Sequence, residues 1–226
     1  MRFALSPELK TFFDKNLFIE LEGVLPCARV AELREKIHAT LAKKLKVAPD
    51  HIHKKTAQEL FLASYNLSFA DRALKKFTHK LEFATLGLEL FHASSIRFGF
   101  DQTFLITHNS PSPFADNTCL QETNCLSPLL GALLLPLSDL AAPLPFFPMP
   151  TKAGNALFIS PALPLPWTQL FSVKGLEFLL IGYSAEKTLF KADTKDPHAV
   201  DLKKMGYIFN DFLKDSLHTL LIRKPF

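Results

Sequence analysis

Over the first ninety positions apolar residues recur at steps of three and four, which predicts a helical opening third. Ser6-Pro7-Glu8 supplies an N-cap, a first-position proline and a first-turn acid, so a short helix should run to about residue 15. Alternation at Ile19 and Leu21, with glutamates between and after them, predicts a strand over 17–23. Beyond Pro26, Val30, Leu33, Ile37, Leu41 and Leu45 lie on one face of a long helix, and Arg34, Lys36, Lys43 and Lys44 take the others. Helical patterns follow over 55–64, 69–79 and 81–91, with Ser68 as N-cap and Asp71 as first-turn acid of the second.

The period changes near Ser94. Residues 96–100 and 103–106 are strand-like, and further strands are expected over 118–126, 129–136, 155–160, 168–173 and 177–183. Eleven of the sixteen prolines fall between Pro111 and Pro166, so short strands should be joined by stiff connections. A helix or turn over 197–214 and a strand over 217–223 close the chain. Helices followed by many short strands predict an α+β fold whose strands form a barrel or sandwich, with residues 1–22 returning to its sheet. We read one domain: helix-rich 1–93, a β core over about 94–185, and a C-terminal helix and strand over 186–226.

Composition narrows the chemistry. Phe supplies 22 residues against 3 Tyr and 1 Trp, which predicts an apolar interior with few polar aromatic groups. Only 8 glycines argue against glycine-rich phosphate loops. The net charge of +4 is concentrated before residue 86, but acids flank the densest group (Lys43, Lys44, Lys46, Lys54, Lys55), so a solvated helix face is expected and nucleic acid is not. Three cysteines without a CxxC point to a reducing compartment rather than a disulfide framework. The first residues have no apolar core of a secretory signal, and Asp139 and five prolines interrupt the apolar stretch 129–150, so the expected setting is cytoplasmic with no membrane partner.

The order of elements resembles phytanoyl-CoA dioxygenase-type proteins of the Fe(II)/2-oxoglutarate oxygenase superfamily. The likeness rests on Phe12–Pro26 with the Ala31–Ile37 helix, on Gly131–Asp139, and on Gly154–Ser160 followed by Leu163-Pro164-Leu165. Asp196-Pro197-His198 and Lys203–Phe209 extend it. The resemblance implies a double-stranded β-helix (jelly-roll, cupin-like) core, with helices packed on it. It also implies Fe(II) on a His-x-Asp/Glu…His triad, and a basic residue that grips the 2-oxoglutarate carboxylate.

At the positions matched to the triad this chain has Leu120, Glu122 and Leu165, and the basic position is Lys174. From Leu140 to Leu176 there is no His, Asp, Glu or Cys, so that stretch offers no distal ligand however its strands are shifted. The expected function is therefore an oxygenase-like protein without iron-dependent catalysis, a binding or regulatory relative whose partner is a small molecule or a protein. No cofactor is expected, or Fe(II) and 2-oxoglutarate if the chain is active. One alternative is an active oxygenase with displaced ligands, built on His108 and Glu122. Another is a metal-responsive DNA-binding regulator using the basic helices and the His51/His53 pair.

The remaining chemistry is sparse. His51 and His53 sit in a loop entering a helix, where they should diverge. His92, Cys119 and Cys125 join His108 and Glu122 as the other ligand-capable residues near the barrel mouth. No Gly-x-Ser-x-Gly occurs, and the Phe residues of the helical third are expected as core anchors.

Overall fold

The computed structural model describes residues 5–107, 111–191 and 195–224. Helix α1 (Pro7–Asn16) is capped by Ser6, whose hydroxyl accepts from the Leu9 amide, and it leads into strand β1 (Phe18–Leu21). Helix α2 (Cys27–Leu45) carries Val30, Leu33, Ile37 and Leu41 on its buried face. A 3₁₀ turn over Pro49–Lys54 precedes α3 (Ala57–Ala63), which opens on a capping box between Thr56 and Glu59. Then come α4 (Arg72–Thr78), α5 (Leu81–Leu90), β2 (Ser95–Leu105), α6 (Leu120–Thr123), β3 (Leu126–Pro136) and β4 (Ala156–Ile159). The last elements are α7 (Trp167–Ser172), β5 (Glu177–Phe190), α8 (Ala199–Lys204) and β6 (Leu220–Arg223).

The strands form one antiparallel sheet in the order β1-β4-β3-β5-β2-β6, so β1 does return to the sheet, against β4. Apolar residues cover both faces. One face carries Leu133, Leu135, Leu179 and Ile181 and packs beneath the helices. The other carries Ala132, Leu134, Phe178 and Leu180 and is enclosed by segments from 112–125, 140–176 and 195–217. Because both faces are buried, these strands read as continuous apolar runs rather than as alternation.

Strand β2 switches faces at a bulge. Its register against β5 shifts between Phe98 and Phe100, at Gly99. Ile96 and Phe98 therefore join the helical side, whereas Phe100 and Phe104 point into the enclosed side. A side chain at Gly99 would place Cβ 2.9 Å from the Gly182 carbonyl oxygen, which explains a residue without one at the crossing.

Several elements differ from their sequence reading. The strands expected over 96–100 and 103–106 are one strand, because the bulge breaks the alternation without breaking the pairing. The strand expected over 168–173 is helix α7, and 118–126 contributes a single bridge at Thr118, helix α6 and then the start of β3. Short apolar runs do not distinguish a buried helix turn from a strand, and tertiary packing decided both. Asp71, rather than Ser68, caps α4, accepting from the amides of Ala73 and Leu74. Ser68 lies in a separate 3₁₀ turn, where its hydroxyl donates to buried Asp101.

Candidate functional site

The enclosed side of the sheet is where the resemblance would place chemistry, and the fold brings its two key segments together. Thr118 and Leu165 form an antiparallel bridge: the Asn117 amide donates to the Leu165 carbonyl at 3.1 Å and the Leu165 amide to the Thr118 carbonyl at 3.3 Å. The Trp167 indole N–H donates to the same Thr118 carbonyl at 3.1 Å. Leu120, two residues past the bridge, and Leu165 are both buried in the enclosed apolar cluster. Glu122 turns outward. It is exposed, and its carboxylate accepts from the Cys119 amide at 2.9 Å, capping α6. Lys174 is exposed in the turn before β5.

Rings fill the interior between these segments and β2. Phe104 stacks on Phe178, with centroids 4.5 Å apart and planes 11° from parallel, and on Trp167 at 5.8 Å. Phe61, from α3, reaches Phe104 at 5.8 Å and Phe114 at 5.5 Å. The cavity left among them measures about 30 Å³, and Leu120, Gln102, Tyr65, Asp196 and His198 share its lining. Ligand pockets begin at about 300 Å³, whereas a water needs only ~10–15 Å³ of such space.

The polar edge of this cavity comes from the segment after β5 and from β2. His198 is 3% exposed and lies flat against Tyr65. Burial holds its imidazole at a pKa of about 3, so it is neutral. Neither of its ring nitrogens has a hydrogen-bond partner among the described residues, nor do the Tyr65 hydroxyl and Gln102 Oε1. Asp196 is engaged: its carboxylate accepts from the Cys125 amide at 2.9 Å and the His198 amide at 2.8 Å. Burial raises its pKa, and burial together with this carboxylate pushes the Cys125 thiol up. The arrangement is thus a hydrogen-bonding edge, made of a neutral imidazole, a tyrosine hydroxyl, a glutamine and an amide-bound carboxyl group, on an aromatic interior.

Behind it, the Gln102 amide donates to the Phe61 carbonyl at 3.0 Å and to the Ser64 hydroxyl at 2.7 Å. The Lys44 ammonium donates to the Tyr65 carbonyl at 2.7 Å, so this member of the basic group is tied to the fold rather than simply solvated. Burial raises Asp101 to a pKa of about 6 despite hydrogen bonds from Ser68.

The other residues singled out in the sequence lie apart from this interior. His51 and His53 are both exposed on the 3₁₀ turn, with His51 3.7 Å from Asp50. His92 is paired to Asp14 at 2.8 Å on the surface. Cys119 and Cys125 are buried free thiols. His108 lies outside the described residues. Among the described residues no three His, Cys, Asp or Glu side chains are grouped as a metal site. Sequence reasoning missed Tyr65, Gln102 and the chemistry of Asp196 and His198. The only signal was the adjacency of the last two in Asp196-Pro197-His198.

No family model matches the chain, and no curated protein matches it by sequence. Solved structures do. The non-heme α-ketoglutarate-dependent epimerase SnoN from nogalamycin biosynthesis superposes with a TM-score of 0.70 at 14% identity, covering 95% of this chain and 98% of its own. The non-heme α-ketoglutarate-dependent carbocyclase SnoK from the same biosynthesis gives 0.69 at 12%, covering 96% and 97%. HygX from Streptomyces hygroscopicus, solved with nickel and 2-oxoglutarate, gives 0.54 at 15%, covering 94% and 99%. The chain has the fold of these oxygenase-like proteins, a cupin-like double-stranded β-helix with helices on one face. No helix among the described residues is long and apolar enough to cross a membrane.

Proposed function

We propose that this chain is an oxygenase-fold protein that works by binding, without iron-dependent catalysis. The observation that supports the reading is the Thr118–Leu165 pairing: it brings Leu120 and Leu165, the residues that the resemblance matches to imidazoles, into one buried apolar cluster. Leucine offers no lone pair to a metal, and the remaining carboxylate, Glu122, faces solvent and caps a helix. The described residues do not fit the Fe(II) and 2-oxoglutarate that the neighbours' names imply. Among the described residues the cavity lining offers one imidazole, that of His198, beside a carboxyl group engaged by backbone amides. Lys174, in the surface turn before β5, is not placed to grip a carboxylate inside the barrel.

In this reading the filled barrel is a scaffold, and function lies on surfaces it holds in place. Its partner is a small molecule or another protein, and a reducing, cytoplasmic setting accords with the free thiols of Cys27, Cys119 and Cys125. The test is an anaerobic titration of the purified chain with Fe(II) and 2-oxoglutarate, followed by exposure to O₂. The expected result is no stoichiometric metal uptake and no consumption of 2-oxoglutarate. One Fe(II) per chain, with turnover, would overturn it.

A further inference from the structure

A second concave surface lies on the helical side, away from the barrel interior. Helices α2 and α4 diverge around a groove of about 720 Å³, closed at one end by the start of α5. Buried Leu33 and Leu74 form its floor, and half-buried Phe77 lines the wall. Arg29, Lys36, Lys76 and Lys80 stand around the rim, with Glu32 and Glu82. The Lys36 ammonium pairs with Asp71 at 3.0 Å, tying α2 to the α4 N-cap, and Lys80 lies over the Phe77 and Phe83 rings at 4.9 and 5.3 Å. These contacts set the groove's width and hold cations at its mouth.

The charge around it is predominantly positive. Residues 27–46 and 71–80 hold ten Lys and Arg against three acids, a larger excess than the whole chain's net charge of +4. The lining of the groove itself carries four cations against two carboxylates, with Arg29 paired to Glu32 at 2.6 Å, so its mouth is net positive. We propose that the α2–α4 groove docks an acidic peptide segment of a partner protein, with a pair of apolar side chains seated on Leu33, Leu74 and Phe77. The apolar floor favours a peptide over nucleic acid, because a phosphate backbone carries nothing to fill it. Glu32 and Glu82 also interrupt the even positive stripe that phosphates would track. The volume suits bulky anchors, and the ring of lysines suits flanking carboxylates. The proposal does not depend on whether the barrel takes up iron.

The test uses the full chain and a fluorescein-labelled peptide of about twelve residues, with glutamates around a central Leu-x-x-Phe pair. Anisotropy should report binding with a Kd below about 100 μM that weakens as salt rises. Replacing the two anchors by Ser should weaken it at least about tenfold, as should Lys76→Glu, which alters an exposed side chain. Ala73→Trp, at an exposed groove position, should block binding by filling the groove while far-UV circular dichroism and the melting temperature stay as in the parent. No binding at about 1 mM peptide would overturn the proposal. So would equal binding by the Ser-substituted peptide, or tighter binding of a duplex DNA of the same charge.

Discussion

The His198 imidazole stacks on the Tyr65 ring with centroids 3.9 Å apart and planes 3° from parallel, and neither of its nitrogens is hydrogen-bonded to a described residue. Here the imidazole acts as a flat, neutral plate between Tyr65 and Phe61, whose centroid is 4.9 Å away. His198→Phe should therefore keep the stack and remove two unpaired polar atoms, leaving stability at neutral pH unchanged or raised by about 1 kcal/mol. His198→Ala should cost about 2–4 kcal/mol by opening a cavity. Urea unfolding distinguishes them, and a larger loss in the Phe variant than in the Ala variant would contradict the packing role.

Acid should unfold the protein early. Burial holds His198 at about 3 and both His79 and His218 at about 4, below the ~6.5 of an unfolded histidine. Between those limits the unfolded chain binds more protons, so stability is full above pH ~6.5 and declines as pH falls toward 4. Asp101 acts in the opposite sense. With its pKa raised to about 6, its protonated form favours the fold, and that contribution is lost as pH rises through 6. Three histidines against two carboxyls that burial raises, Asp101 and Asp196, give a net decline on acidification. A urea midpoint that stays flat from about pH 7 to about pH 4 would contradict this.

Arg34 and Glu177 link α2 to the first residue of β5 through two hydrogen bonds, Nε to Oε2 at 2.5 Å and Nη2 to Oε1 at 3.0 Å. Burial alone would raise the Glu177 pKa, but the His38 imidazole 3.5 Å away and the hydrogen bonds from Arg34 outweigh it and hold the carboxyl at about 2. Its contribution is present above the unfolded value of ~4.3 and lost as pH falls toward 2. Arg34→Lys keeps the charge but not the fork, and should cost about 1 kcal/mol in urea unfolding at neutral pH. Glu177→Gln should cost at least as much. A neutral result for both would show that the pair holds nothing in place.

Leu120→His combined with Leu165→His puts imidazoles back at the matched positions. The expected outcome is a destabilised protein, by about 2 kcal/mol or more, because Leu165 is 1% exposed among apolar neighbours. It should still fail to take up stoichiometric Fe(II), since Glu122 faces outward. Metal analysis after anaerobic loading measures this, and one iron per chain would show that the carboxylate can turn inward.

Much of the architecture was readable from local pattern. The Ser6-Pro7-Glu8 cap, the three-and-four spacing of α2 and the alternation at Ile19 and Leu21 encode their elements within a few residues, and each forms as read. Leu120 and Leu165 could be singled out because the resemblance fixed where to look, and the ligand-free stretch 140–176 did not depend on register. The polar edge of the interior was not readable. Tyr65 and His198 are 133 positions apart in the chain, and no spacing rule brings an imidazole onto a ring at that separation.

By itself the sequence determined which segments are helical in the first third, that strands dominate after residue 94, and that the central stretch lacks metal ligands. Those properties belong to local propensity and composition, which act over one or two turns of chain. Only the tertiary structure decided that 167–172 coils instead of extending, and that the bulge at Gly99 turns Phe100, Gln102 and Phe104 into the barrel. It likewise closed the interior down to about 30 Å³ and set the groove between α2 and α4. The reason is physical: a one-residue slip in a strand exchanges its faces, and a short apolar run takes whichever backbone form its neighbours can bury.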